Sequence, residues 1–226
     1  MRVQINICEN LKSMGVFVFY TEVYDVTVVK SGVKELDDEI AKLEEMYKGK
    51  DPETLKEDPV VRAYRDFFWR IGIDPTKIRP SGEALRRRLY RGGKMPRINN
   101  VVDSGNIASL VTLVPIGLYD IDKIKGNLKI VMSEGNEIFY DLGKKDPERL
   151  SKGIPIMIDE EKKVLHIYPH RDSKLTSITE ITKDVLVMGA GVSGVPKDQV
   201  KKAITMTASY IVSFAKGKWS GEISEA

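Results

Sequence analysis

The chain has 226 residues, 42% hydrophobic and 31% charged, with 36 Lys+Arg against 33 Asp+Glu for a net charge of +3. That balance excludes a disordered chain and carries no bulk charge that would announce a nucleic-acid binder. A single cysteine, Cys8, excludes an intramolecular disulfide framework and a cysteine-rich zinc site, and the longest apolar runs, Ser109–Tyr119 and Val185–Val195, fall short of the roughly 20 residues that span a bilayer.

The first segment reads as strands. Arg2–Ile7 alternates, and Gly15–Tyr20 and Tyr24–Val29 are rich in Val, Phe and Tyr. From Lys34 the period becomes helical, with Leu36, Ile40, Leu43, Met46 and Tyr47 at three- and four-residue steps. Asp58-Pro59 starts a second helix with an apolar stripe through Val60, Tyr64, Phe67, Phe68 and Ile71. Ser81–Tyr90 is a further helix, stopped by Gly92-Gly93. Beyond Pro96 short apolar runs alternate with Gly, Asn and Asp, which reads as strands joined by polar loops. Ile154–Ile158 and Val164–Tyr168 form a strand pair, Asp184–Met188 is a short buried strand, and Pro196–Phe214 is the closing helix. Helices early and strands late predict an α+β fold. The expected divisions are an N-terminal strand–helix extension (1–57), a main domain (58–216) and a frayed tail (217–226). Met1–Asn6 lacks a signal-peptide core, so a soluble cytoplasmic protein is expected, and the scarcity of glutamine (Gln4, Gln199) points to a heat-adapted source.

Charge is segregated. Residues 34–58 hold 10 acidic and 5 basic side chains, whereas residues 77–97 hold 8 basic and one acidic. The basic block predicts a surface that neutralises phosphate, with Arg79, Arg87, Arg88, Arg91 and Lys94 as its contacts. The competing reading is a solvated helix face paired with the acidic segment.

Several motifs fail on context. Gly189–Gly194 matches G-x-G-x-x-G after a strand and before a helix, but no strand can follow that helix, so no dinucleotide site is expected. His166 and His170 lack a third ligand, and neither a metal nor a cofactor is expected. No G-x-S-x-G elbow and no P-loop occur.

Two segments carry more. Residues 96–109 and 171–182 are dense in small polar residues beside apolar ones. Asp103 and Asn106 sit among apolar neighbours and must hydrogen-bond if buried. Thr176, Thr179 and Thr182 recur every third position. Capping and turn chemistry is one reading, and a polar pocket for an amino group, a ribose or an ester is the other.

The stretch Ile98–Leu110 (I-N-N-V-V-D-S-G-N-I-A-S-L) and Pro115–Gly126 (P-I-G-L-Y-D-I-D-K-I-K-G) closely resembles the B3/B4 domain of the phenylalanyl-tRNA synthetase β subunit, and resembles its stand-alone B3/B4 relatives further through the basic helix, Arg171-Asp172 and the threonine series. The resemblance spans about Asp58 to Phe214. It implies a three-layer α+β domain with mixed sheets, flanking helices and a central cleft, which in the synthetase hydrolyses tyrosine wrongly attached to the phenylalanine tRNA. It implies tRNA as the partner, with neither membrane nor DNA expected, and a trans-acting deacylase of misacylated tRNA. The alternatives are an RNA-binding module without chemistry and a small-ligand or amino-acid binder. The expected catalytic residues are Asp103, Asn106 and Thr176. The expected pocket residues are Asn99, Ser109, Gly117, Arg171, Asp172, Thr179 and Met188. Two departures stand out. Gly117 occupies the position of the synthetase's editing histidine. Met188 occupies that of the glutamate that reads the tyrosine hydroxyl, which favours an aliphatic or sulfur-containing side chain.

Overall fold

A computed structural model describes residues 2–226. The chain runs β1 (Ile5–Ile7), α1 (Glu9–Ser13), β2 (Phe17–Val23), α2 (Lys34–Tyr47), a 3₁₀ segment (Pro52–Glu57), α3 (Pro59–Arg70), α4 (Ser81–Tyr90) and α5 (Asn100–Thr112). It continues through β3 (Ile116–Asp120), β4 (Leu128–Met132), β5 (Ile138–Phe139), β6 (Glu148–Arg149), β7 (Pro155–Ile158), β8 (Val164–Ile167), β9 (Arg171–Asp172), β10 (Val185–Gly191), α6 (Lys197–Ala215) and β11 (Ser224–Glu225).

The strands form two sheets. One is antiparallel, in the order β11-β2-β10-β3. The other is mixed, in the order β1-β4-β7-β8-β5-β6 with β9 beside β8, and its β1–β4 and β5–β8 pairs are parallel. Alternation along β3 and β10 sends side chains to two different layers. A Cβ at Gly105 of α5 would meet Leu118 and Ile116, and one at Gly189 would meet Val200 and Ile204 of α6, so those residues share the helical face. Gly117, Tyr119 and Met188 face the second sheet, where the Tyr119 ring meets His166 edge-on with centroids 6.1 Å apart. Tyr168, just after β8 of the second sheet, donates to the Gly191 carbonyl at 2.7 Å and ties the two sheets together. Helices, four-stranded sheet and mixed sheet therefore make three layers of an α+β fold, and α4 and α2 pack outside α5.

Three expectations need correction. The stretch after Pro96 is not strands and loops: residues 100–112 are the central helix α5. Asn99 caps it, accepting from the backbone N–H groups of Val101 and Val102 at 3.1 and 2.8 Å. Because α5 is buried on nearly all sides, it has no polar stripe to mark its period. Residues 24–29 form no strand: Tyr24 makes a lone bridge to Lys218, Asp25 turns the chain at a φ of 55°, and Val26 and Thr27 donate to the Lys183 and Ala215 carbonyls. The N-terminal extension is built into both sheets, because β2 is an inner strand of the first sheet and β1 pairs with β4. Residues 217–226 are not frayed: β11 pairs with β2, Ala226 exchanges backbone hydrogen bonds with Val18, and Trp219 Nε1 donates to Thr21 at 2.8 Å. Among the described residues, no helix is long and apolar enough to cross a membrane.

Candidate functional site

β3 is the free edge of the four-stranded sheet, and a cleft of about 240 Å³ opens along it. One wall is Ile98, Val102, Gly105 and Asn106, from α5 and the turn that leads into it. The floor is Ile116 and Leu118 of β3, and the far wall is Leu142, Asp172, Ser177 and Ile178. Gly105 lets β3 approach α5 closely, since a Cβ there would lie 2.9 Å from Leu118 Cδ1. At the rim, Ile98 and Leu142 are 52% and 60% exposed.

Among the described residues, Asp172 is the only charged one of this lining. Pairing of β8 with β9 sets it opposite His166, whose Nδ1 donates to Asp172 Oδ1 at 2.9 Å. The other ring nitrogen, Nε2, is buried without a hydrogen-bond partner. Burial, and then the Asp172 charge beside it, pushes the Tyr119 phenol well above its ordinary value. His170 takes a different environment: it packs 5.2 Å from the Phe68 ring, and burial pulls its pKa down to about 4.

Of the catalytic and pocket residues expected from sequence, Asn106 and Asp172 line the cleft. The others lie outside its lining. Asn99 is the α5 cap. Asp103 is buried and accepts from the Ile98 N–H at 2.9 Å and from Arg97 Nε at 3.1 Å. Desolvation raises its pKa against the pull of those bonds. Those bonds close the turn before α5, and Asp103 is not among the residues that line the cleft. Ser109 bonds Ser81 of α4 at 3.1 Å. Arg171 donates to Asp141 at 2.6 Å and Glu148 at 2.5 Å, with its guanidinium 5.1 Å over the Phe139 ring. Thr182 donates to Asp120 at 2.8 Å and accepts from the Thr179 N–H at 2.9 Å, which pins the far wall. Thr176 is buried, with its hydroxyl unpartnered. Gly117 and Met188 are register partners between β3 and β10, and the cleft does not reach them. The rim and wall residues Ile98, Val102, Leu142 and Ile178 carried no signal in the sequence, because an exposed apolar side chain reads there as an ordinary core residue.

The basic block surrounds a second, open groove of about 540 Å³, lined by Lys77, Arg79, Arg87, Arg88 and Arg91. Its cations differ in what they hold. Glu83 is 1% exposed and accepts from Arg65 Nε at 2.9 Å, with Arg79 and Arg87 nitrogens at 3.8 and 3.9 Å. Arg87 also donates to the Pro52 carbonyl at 2.7 Å and to Glu53 at 2.5 Å. Lys94 pairs with Glu44 at 2.7 Å. Arg79, Arg87 and Lys94 thus have carboxylate partners within the protein. Arg88 and Arg91 are exposed, and among the described residues no carboxylate lies within 4 Å of either guanidinium.

Comparison with known proteins gives this geometry its context. The family profile described as the B3/4 domain matches residues 63–217. The phenylalanine–tRNA ligase beta subunit of Malacoplasma penetrans is 29% identical over 120 residues, which is 53% of this chain and 15% of that protein. The same subunit of Aquifex aeolicus is 27% identical over 150 residues, 62% of this chain and 19% of that one. An N-terminal fragment of the phenylalanyl-tRNA synthetase beta subunit from Pyrococcus horikoshii shares the fold over 100% of this chain and 55% of its own, with a TM-score of 0.55 at 18% identity. The matched chain is thus a small part of each of these ligase subunits, and the profile that covers most of it makes the chain a member of the B3/4 domain family.

Proposed function

We propose that the protein binds the aminoacylated 3′ end of a tRNA, and that its cleft hydrolyses a misacylated ester in trans. The observation that carries this reading is the cleft itself: a largely apolar chamber with one amide (Asn106), one hydroxyl residue (Ser177) and one carboxylate (Asp172), at the free edge of a B3/4 fold. The relatives named above are tRNA ligase subunits, which supports a tRNA-related ligand. Arg88 and Arg91, free of carboxylate partners among the described residues, suit phosphate contacts.

The chemistry asks little of the protein. An aminoacyl ester is activated, so hydrolysis needs a positioned water and a hydrogen-bond donor for the developing oxyanion. The water oxygen bonds to the carbonyl carbon, the bond from that carbon to the ribose oxygen breaks, and the ribose oxygen leaves with a proton. In this reading the Asn106 amide donates to the carbonyl oxygen, and the neighbouring ribose hydroxyl relays the proton. A second reading, tRNA binding without hydrolysis, is favoured by Gly117, where the resemblance implies a histidine.

The test is a panel of correctly and wrongly charged tRNAs, covering aromatic, aliphatic and sulfur-containing amino acids, with no protein and with Asn106→Ala as controls. One misacylated species should lose its ester selectively, with the rate falling by about a hundredfold in the variant, as for loss of an oxyanion donor. Stable esters across the panel, together with salt-sensitive tRNA binding, would establish the second reading instead.

A further inference from the structure

We infer that Asp172 reads an ammonium group and that the rest of the moiety seated in the cleft is a short aliphatic chain. In its biological setting this rests on the aminoacyl site proposed above, but the cleft alone carries the physical case. The Asp172 side chain is 38% exposed and faces apolar walls. Among the described residues, no lysine or arginine nitrogen lies within 4 Å of its carboxylate, and the ring against it is that of His166. His166 takes Oδ1 and fixes the carboxylate, which leaves the second oxygen without a basic partner. A carboxylate fixed in position, with a free oxygen at the edge of a largely apolar lining, is a ready partner for a cationic group on a ligand.

The chemistry of that cation follows from the surroundings. Among the described residues, no group of three His, Cys, Asp or Glu side chains gathers to hold a metal ion. The cation therefore comes with an apolar body, which Val102, Ile116, Leu118 and Ile178 would bury. The exposed residues Ile98 and Leu142 extend that apolar surface outward. The volume of about 240 Å³ lies below the roughly 300–1,000 Å³ typical of pockets for drug-sized molecules. Among the described residues, no aromatic side chain lines the cleft to stack on a ring. An α-ammonium with an aliphatic side chain meets all these conditions, and the Asn106 amide in the same lining is available to the adjoining carbonyl.

The experiment is a calorimetric titration of the full chain at about pH 6.5, where an α-amino group is charged. The probes are L-leucinamide, 4-methylpentanamide (the same chain without the ammonium) and L-phenylalaninamide. Leucinamide should bind more tightly than either by about tenfold or more, the weight of a charge-assisted hydrogen bond. Asp172→Asn should abolish the preference over 4-methylpentanamide and leave the affinity for that probe unchanged. Equal binding of leucinamide and 4-methylpentanamide by the unaltered protein would overturn the inference without recourse to any variant. No measurable leucinamide binding, or a preference for phenylalaninamide, would overturn it too. The two proposals separate cleanly. Stable esters beside an intact leucinamide preference would remove the editing reading alone, whereas ester hydrolysis indifferent to Asp172→Asn would remove this one alone.

Discussion

Gly117 and Tyr119 stand two residues apart on the inward face of β3 and compete for one space. A Cβ built on Gly117 would fall against the phenol carbons and oxygen of Tyr119. The Tyr119 ring thus fills the place that a side chain at 117 would take, which explains why this chain carries glycine where the resemblance implies histidine. Gly117→Ala should destabilise the fold by about 1–3 kcal/mol through overpacking. Tyr119→Ala should cost about 3–5 kcal/mol by opening a cavity. Together they should cost less than their sum, by at least about 0.5 kcal/mol, because each removes the other's clash or void. Urea unfolding of the four proteins measures this cycle, and strict additivity would show that the two positions do not share the space. The same scale explains what the sequence could not distinguish. Asn99 and Asp103 beside apolar residues carry one signature for a helix cap and for a polar pocket, and here the cap holds. The Asp172–His166 pair was hidden for another reason: it depends on β9 folding back on β8, which spacing alone does not reveal.

At the scale of elements, α4 shows both what was readable and what was not. Its position, its start near Ser81 and its basic character follow from the sequence. The division of labour among its arginines does not, because it depends on where Glu83 is buried and on the distant partners Arg65, Pro52 and Glu53. That division makes two opposite expectations. Replacing Arg88 and Arg91 by Gln should leave the melting temperature unchanged while lowering the dependence of RNA affinity on salt by about 0.7–0.9 in log–log slope for each phosphate that is no longer neutralised. Glu83→Gln should instead destabilise the protein, by roughly 3 kcal/mol, because it removes the buried carboxylate that gathers Arg65, Arg79 and Arg87 and leaves only the more exposed Glu53 to pair Arg87. Filter binding over a series of KCl concentrations, beside thermal melts, reads both effects. An unchanged slope in the double arginine variant would remove the groove from the RNA interface. Helix α5 is the contrary case. It lies between α4, α6 and β3, so nearly every position is buried and no amphipathic period survives to be read.

The whole molecule is closed by its ends, and this was the least readable feature, because two-residue strands such as β11 carry no alternation of their own. The last ten residues, 217–226, cover the edge of the four-stranded sheet that lies opposite the cleft. Backbone bonds of 2.9 and 3.0 Å join Val18 to Ala226, Tyr24 pairs with Lys218, and the Trp219 indole caps the Thr21 hydroxyl. Deletion of residues 217–226 would strip these interactions and leave β2 with an unpaired, largely apolar edge. Such an edge recruits other strands. The truncated chain should melt several degrees lower, each 1 kcal/mol being worth roughly 2–4 °C at this size, and should self-associate in light scattering. Leucinamide affinity, measured below the new melting temperature, should stay as it was, because β2 and β10 stand between the tail and the edge strand β3. A truncated chain that melted unchanged and stayed monomeric would mean that the tail adds nothing to the sheet. One that melted lower and also failed to bind the ligand would mean that the strain of the open edge reaches across β10 into the cleft.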